Sequence, residues 1–253
     1  GEYGFSALIE VEDHKILFDT GSDQALYHNA ARLGIDLNTV DAIFISHGHF
    51  DHTGGLLSYF KQYGARPVYA HSGIFVSRPL PLGGNNFKEI GCGFSQEELL
   101  KAGAKLHLRD EFSSIFPEVY ISGAIPRNSQ FEDTGGNFKM VINGETQDDP
   151  LLDDSALIID HPEGLIIVSG CAHAGVINII EHARQQTGKS QVLAFIGGTH
   201  LITASQERIS HTIAALESPL ISKIIVSHCT GFYAAARLYN ALGERVIKGE
   251  TGM

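Results

Sequence analysis

The chain has 253 residues, 43% of them hydrophobic and 19% charged, enough to bury a large core without disulfide or metal staples. Its 29 acidic against 18 basic residues give a formal net charge of −11, which disfavours a nucleic-acid binder and leaves only room for a local positive site. Three scattered cysteines, an odd count, exclude a disulfide framework and predict a reduced, cytoplasmic protein, and no apolar run reaches the roughly 18 residues of a membrane span.

In chain order, Phe5–Val11 and Lys15–Phe18 read as strands joined by the polar Glu12-Asp13-His14, so close to the start that a short N-terminal piece is expected to be missing. A helix is predicted from Ser22, as its N-cap, to Leu33, with Gly34 as the stop. Asp41–Ser46 reads as a strand, Leu56–Tyr63 as a helix and Pro67–Ala70 as a strand. Residues 77–93 hold Pro79, Pro81, Gly83, Gly84, Asn85, Asn86, Gly91 and Gly93 and predict a long irregular loop. Ser95-Gln96-Glu97-Glu98 is a capping box opening a short helix to Ala102. Residues 104–122 suggest β-structure, and 126–154 a second long loop with some strand inside. After Ser155 comes a hairpin turning at Pro162-Glu163-Gly164. Helices over Val176–Gln186, Ser205–Leu216 and Tyr233–Leu242 then alternate with strands over Val192–Ile196 and Ile221–Ser227. That alternation means parallel strands in βαβ units. The whole predicts one α/β domain over 1–253, an αββα sandwich with two mixed β-sheets face to face and helices on both outer faces.

The chemistry concentrates in Ser46-His47-Gly48-His49-Phe50-Asp51-His52-Thr53-Gly54-Gly55, directly after an apolar strand. Imidazole and carboxylate are nitrogen and oxygen ligands for zinc and similar metals. His47 and His49 alternate, so on an extended segment they point the same way. Asp51 and His52 follow where the chain turns into a helix and face a neighbouring point. One cation cannot easily take all four, so the spacing suggests two. Three later strands end near a histidine, His173, His200 and His228, and in parallel sheets ligands sit at the carboxyl ends of the strands.

His47-Gly48-His49-Phe50-Asp51-His52 resembles the HxHxDH signature of the metallo-β-lactamase superfamily, and Phe18-Asp19-Thr20-Gly21 its earlier aspartate motif. Gly4–Glu10, Gly123–Arg127, Gly170–Gly175, Gly197–Leu201 and His228–Gly231 are similar to the branch called metal-dependent hydrolases of β-lactamase superfamily II. That branch includes the dihydropterin-methyl aminobenzene ribosyl phosphate synthases of methanopterin biosynthesis. The resemblance implies that His47 and His49 bind a first metal with His173 as third ligand, and that Asp51 and His52 bind a second with His228. Cys171 stands at the strand end where that superfamily carries a bridging aspartate. It is a ligand in place of His173, a bridge, or a buried thiol behind the ligands. His200 is either a ligand or a group that binds substrate or moves a proton. Asp19 sits behind a ligand imidazole and fixes its tautomer. Arg127, in a chain short of basic residues, suits an anionic substrate group, with Lys139 and Arg78 as weaker candidates.

Two decoys fall away. Asp-Thr-Gly at 19–21 and 133–135 imitates an aspartic protease, but the second copy lies in a polar loop with no strand before it. Thr187-Gly188-Lys189-Ser190 imitates a phosphate loop, but its order is helix to strand. The expected activity is a metal-dependent hydrolase in which two divalent ions, zinc with manganese or iron as alternatives, share a hydroxide that attacks a phosphoryl or carbonyl centre. Asp51 and His200 are the catalytic candidates, Arg127 and His200 the substrate-binding ones. The two long loops are expected to close over a small anionic or phosphorylated substrate, with Phe87, Phe94, Phe131 or Phe138 offering aromatic faces. The alternatives are a pterin-methyl diphosphate:arylamine transferase releasing diphosphate, and a non-catalytic metal-sensing domain. A homodimer is expected, with no nucleic-acid or membrane partner.

Overall fold

The computed structural model describes residues 2–84 and 86–253. They form two compact units, one of Gly1–Asp110 with Asn137–Asp153, the other of Glu111–Gly136 with Asp154–Thr251.

The first unit begins with β1 (Ala7–Val11) and β2 (His14–Phe18), an antiparallel hairpin pairing Ala7 with Phe18 and Val11 with His14. Then come α1 (Ala25–Leu33), β3 (Ala42–Ile45), α2 (Phe50–Thr53), α3 (Leu56–Tyr63), β4 (Pro67–Ala70), β5 (Pro79–Gly83), β6 (Asn86–Glu89), α4 (Gln96–Lys101) and β7 (Lys105–Leu108). The second unit opens with β8 (Ser113–Phe116) and β9 (Val119–Ile121), after which β10 (Lys139–Ile142) and β11 (Glu145–Asp148) return to the first as a hairpin. The second unit resumes with β12 (Ala156–His161), β13 (Gly164–Ser169), α5 (Val176–Thr187), β14 (Val192–Gly197), α6 (Gln206–Leu216), β15 (Ile221–Val226), α7 (Phe232–Leu242) and β16 (Val246–Lys248).

In the first unit the sheet runs β1-β2-β3-β4-β7, parallel from β2 onward. All four residues of β3 are buried, as a parallel strand requires of a continuous apolar run. Its Ile43 and Ile45 join Leu17, Leu56, Tyr59, Val68 and Leu99 in one core, while Phe44 meets Phe18 of β2 on the opposite face, ring centroids 5.0 Å apart. The second unit's sheet runs β16-β15-β14-β13-β12-β9-β8, parallel from β13 to β16 and antiparallel beyond. Its core gathers Ile158, Leu165, Ile167, Phe195 and Ile224 with Ile179, Ile180, Ile209 and Leu238 of the helices. The fold is thus mixed α/β, with parallel strand-helix repeats where the alternation predicts them.

Several local expectations shift. Helix α1 starts at Ala25, with Gln24 as its N-cap and no side-chain cap bond, and the Ser22 hydroxyl instead donates to the Tyr3 carbonyl. The capping box of α4 forms as read, Ser95 and Glu98 bonding each other's backbone N–H. Residues 79–89 are not irregular but pair as β5 and β6. Pro79 and Pro81 lie two apart, so both can turn their donorless nitrogens away from the partner strand. Asn85 of that stretch lies outside the described residues. Among the described residues no helix is long and apolar enough to cross a membrane.

Arg78, directly before β5, enters a buried ion network. Its Nε donates to Asp149 at 2.7 Å and its Nη2 to Asp153 at 2.6 Å. Burial works against the guanidinium charge, but Asp153 and Asp149 outweigh it and hold its pKa above the ordinary value. Arg78 is therefore consumed by the fold and does not serve a substrate; Lys139 is likewise paired, with Asp148 on an exposed hairpin. Replacing Arg78 by Met should cost about 3–5 kcal/mol in denaturant unfolding, because two buried carboxylates lose their cation; a loss below about 1 kcal/mol would contradict this account.

Candidate metal centre

The centre is built first from one turn of the first unit. After Ile45 the chain stays extended through His49, which is the N-cap of α2 with φ −76° and ψ 146°. The extended step sends His47 and His49 to one side, and the helical turn brings Asp51 and His52 back beside them. The His47 ring centroid lies 4.7 Å from that of His49 and 4.2 Å from that of His52. All four side chains are buried.

The loop is pinned at its middle. The Gly48 N–H donates to Asp153 at 2.8 Å, the same carboxylate that Arg78 holds. A Cβ at Gly48 would lie 2.1 Å from the Ile74 carbonyl oxygen, so no other residue fits. The Phe50 N–H donates to the Ile90 carbonyl at 3.0 Å, which ties the end of the 77–93 segment to the metal motif. Gly54 serves close packing against the Ser22 carbonyl, not an unusual turn, since its backbone is ordinary right-handed helix.

Hydrogen bonds fix the imidazoles. Asp19, at the end of β2 with φ 54°, is fully buried. Its Oδ1 accepts from the Ser46 N–H at 2.8 Å and its Oδ2 from the Ser46 hydroxyl at 2.7 Å. His52 Nδ1 lies 2.6 Å from the same Oδ2 and must donate there, so His52 presents the lone pair of Nε2. The Ser46 hydroxyl, having given its hydrogen to Asp19, accepts from His47 Nδ1 at 3.0 Å, and His47 also presents Nε2. That Nε2 faces His49 Nδ1 at 3.0 Å. Two nitrogens each about 2.0–2.1 Å from one tetrahedral zinc stand about 3.3 Å apart, so this pair is spaced as two ligands of one cation. His52 Nε2 faces Asp51 Oδ2 at 3.7 Å, a second pair with one nitrogen and one oxygen. These are two pairs of donor atoms of the kinds that could hold divalent cations.

The second unit carries its own group of ligand-type side chains at the carboxyl ends of β13, β14 and β15. Each of the three loops holds one non-glycine residue in left-handed backbone: Ala172 at φ 57°, His200 at 45° and His228 at 49°. Such strain, of order 1–3 kcal/mol per residue, persists only where the surroundings enforce it and clusters at functional sites. His173 is fully buried, and its Nδ1 donates to the Thr134 carbonyl at 2.7 Å, leaving Nε2 as the lone-pair face. The rings of His173 and His200 are 4.2 Å apart. Asp154 accepts the Ala174 N–H at 2.7 Å. Cys229 receives the His200 N–H at 3.3 Å and lies 3.6 Å from the Cys171 carbonyl. Burial alone would raise the Cys229 thiol, but its bonds with Cys171 and His200 and the charges of His200 and His228 bring it well below the ordinary value.

Arg127 is engaged here too, Nη1 donating to the His173 carbonyl. The expected lid over 126–154 is therefore a brace over its first part. Glu132 accepts the N–H groups of Ile177 and Asn178 at 2.9 and 3.0 Å, Asp133 pairs with Arg208, and Thr203 donates to the Gly135 carbonyl. Of the four phenylalanines, Phe138 lies against His49 with centroids 5.3 Å apart, Phe131 lies against His211, Phe94 is buried in the core and Phe87 is exposed. Ser46, Thr134 and Cys229 carry work that no motif assigned. Ser46 and Cys229 adjoin ligand-type histidines in sequence; Thr134 acts through its backbone and leaves no residue signature.

A model of the metallo-beta-lactamase superfamily matches residues 1–183. Over 92% of its length the chain is 36% identical to the 7,8-dihydropterin-6-methyl-4-(beta-D-ribofuranosyl)-aminobenzene-5'-phosphate synthase of Methanocaldococcus jannaschii, 82% of which is covered. An uncharacterized protein of the same organism is 31% identical over 94% of this chain and 87% of its own. Among solved structures, a protein described as Tm1679, a metal-dependent hydrolase of the beta-lactamase superfamily, superposes with a TM-score of 0.82 at 27% identity, covering 100% of this chain and 91% of that one. The chain belongs to the metallo-β-lactamase superfamily. It has that superfamily's mixed α/β fold, and it is an enzyme.

Because Asp19 fixes the His52 tautomer and orientation, Asp19→Asn should weaken zinc binding about 10–100-fold in a chelator competition. An affinity equal to wild type would remove Asp19 from this role.

Proposed function

We propose that the chain is a metal-dependent hydrolase of small phosphorylated molecules, its two units acting as one catalytic domain with a centre of two divalent cations. The observation that carries this reading is the pair of facing donor sets in one buried turn, His47 with His49 and His52 with Asp51. His173, with Nε2 turned outward by Thr134, is assigned to the first cation and His228 to the second. Zinc suits this imidazole-rich set best, and manganese or iron would be held by the same atoms. When bound, a cation pair lowers the pKa of water toward neutrality and neutralises charge gained by phosphoryl oxygens.

The chain's own groups do the rest. Asp51 holds its carboxylate beside His52 and serves as ligand and proton acceptor. His200, its ring tilted against that of His173, binds the substrate or hands it a proton. Arg127 is assigned to the substrate's anionic group, with Nη1 shared with the His173 carbonyl. Phe138 beside His49 offers a face to a planar ring. We infer an anionic small molecule as substrate, a cytoplasmic setting and a homodimeric assembly, with no nucleic-acid partner for a chain of net charge −11.

One observation favours a second reading. The 36% identical relative is named as a synthase, so the same site, with its cations bound, would hold a pterin-methyl diphosphate and stabilise diphosphate as an arylamine displaces it from the methyl carbon. A panel of chromogenic phosphodiesters, assayed with the zinc-loaded chain, should show turnover. His49→Ala should lower it at least about 100-fold and lose metal in parallel, since several kcal/mol of charge stabilisation go with the cation. Diphosphate release only when an arylamine is present would establish the transferase instead. No turnover of either kind from a fully loaded protein would overturn both readings, and full metal content in His49→Ala would overturn the ligand assignment.

A further inference from the structure

We propose that two copies of this chain meet through the outward side of α7 and the groove between α6 and α7. The proposal rests on the homodimeric reading above and names its contact face.

Helix α7 lacks the polarity of a surface helix. Its inward side is ordinary: Ala234, Leu238 and Leu242 recur every four residues and are buried. A helix with one side in the core normally turns charged residues to water on the other. The opposite side of α7 is instead Phe232, Tyr233, Ala236, Tyr239 and Asn240, whose spacing puts them on one face. Phe232 is 81% exposed, Tyr233 83% and Tyr239 54%. The one charged residue of the helix, Arg237, lies off that face, its guanidinium donating to Gln206 and Ser210 of α6. Ile202, 55% exposed, extends the patch past the start of the helix, since it lies against Gly231, where a Cβ would come within 2.8 Å of its side chain.

A second copy is the occupant that this face fits. A two-fold contact sets one patch against itself, so the patch needs both a protrusion and a recess, and no unbalanced charge. Phe232, Tyr233 and Tyr239 are the protrusion. The recess lies beside them, a groove of about 440 Å³ over Ile213, Ala214 and Ala241. It is larger than the roughly 150 Å³ that admits a benzene ring. Glu217 and Arg237 stand at the groove, one charge of each sign. Two chains of net charge −11 repel each other, and an uncharged face lets them approach. The area is of the right order. At about 200 Å² per aromatic side chain, the exposed parts of the three rings come to roughly 400 Å², half of the roughly 800 Å² per partner in a standard interface. The groove and Ile202 add to it.

Light scattering of the full chain over a concentration series tests the face. Wild type should show twice the chain mass. Ala236→Glu and Tyr239→Glu should each raise the dissociation constant about 100-fold, because every substitution enters a two-fold contact twice. Leu100→Glu, at an exposed leucine of α4, should leave it unchanged. A monomeric wild type overturns this proposal together with the homodimeric reading. A dimer that keeps its affinity in both α7 variants overturns this face alone and leaves the homodimer standing. Should the glutamate variants not fold, hydroxyl-radical labelling of dilute and concentrated wild type decides. Phe232, Tyr233 and Tyr239 should lose most of their labelling in the concentrated protein; labelling that does not change with concentration overturns the face. Neither measurement reads turnover or metal content, so failure of the hydrolase reading leaves the result untouched.

Discussion

The buried carboxylate of Asp19 is the interaction on which the histidine turn of the first unit depends. A carboxylate in a dry interior is costly unless every lone pair finds a donor. Asp19 accepts from the Ser46 amide, the Ser46 hydroxyl and His52 Nδ1, and in doing so sets the outward-facing nitrogen of two imidazoles at once. Its own left-handed backbone at the end of β2 is strain that these three bonds repay. The neighbouring strand β3 is buried at every position and holds Ser46 still, so the orientation of His47 and His52 follows from the sheet itself.

A second carboxylate repeats the device. Asp153 takes the Gly48 N–H with one oxygen and Arg78 with the other, which ties the loop between His47 and His49 to the buried ion network. In the second unit the same logic runs through backbone atoms. The Thr134 carbonyl orients His173, and Arg127, Glu132 and Asp133 fasten the loop that carries Thr134. Both halves use rigid supports to choose which ring nitrogen stays available, the general requirement for imidazoles that hold a cation.

Much of this was legible in the residues. The order of strand, HxHxDH turn and helix follows from spacing alone, because period-two and helical periods give different facing residues. The strand-end histidines announce a carboxyl-edge site, and Asp19 stands out through its Asp-Thr-Gly turn. The rest was hidden for physical reasons. Ser22 looks like a helix cap, but the helical turn begins three residues later, at Ala25, and the hydroxyl donates to Tyr3 across the hairpin start. The β5–β6 ribbon is written in Pro and Gly, which composition reads as loop. The brace at 126–136 acts largely through carbonyl and amide groups that every residue possesses, so a fixed support reads as a mobile lid. Cys229 sits one residue after His228, and its closeness to Cys171 arises only from the order of the strands.

The central proposal is that the HxHxDH turn holds a pair of neighbouring cations. Anomalous diffraction at the zinc edge, from crystals of the zinc-loaded chain, tests it most directly. We expect two neighbouring peaks, one bonded by His47 and His49 and the other by Asp51 and His52. A single peak, or peaks bonded by none of these side chains, would contradict it.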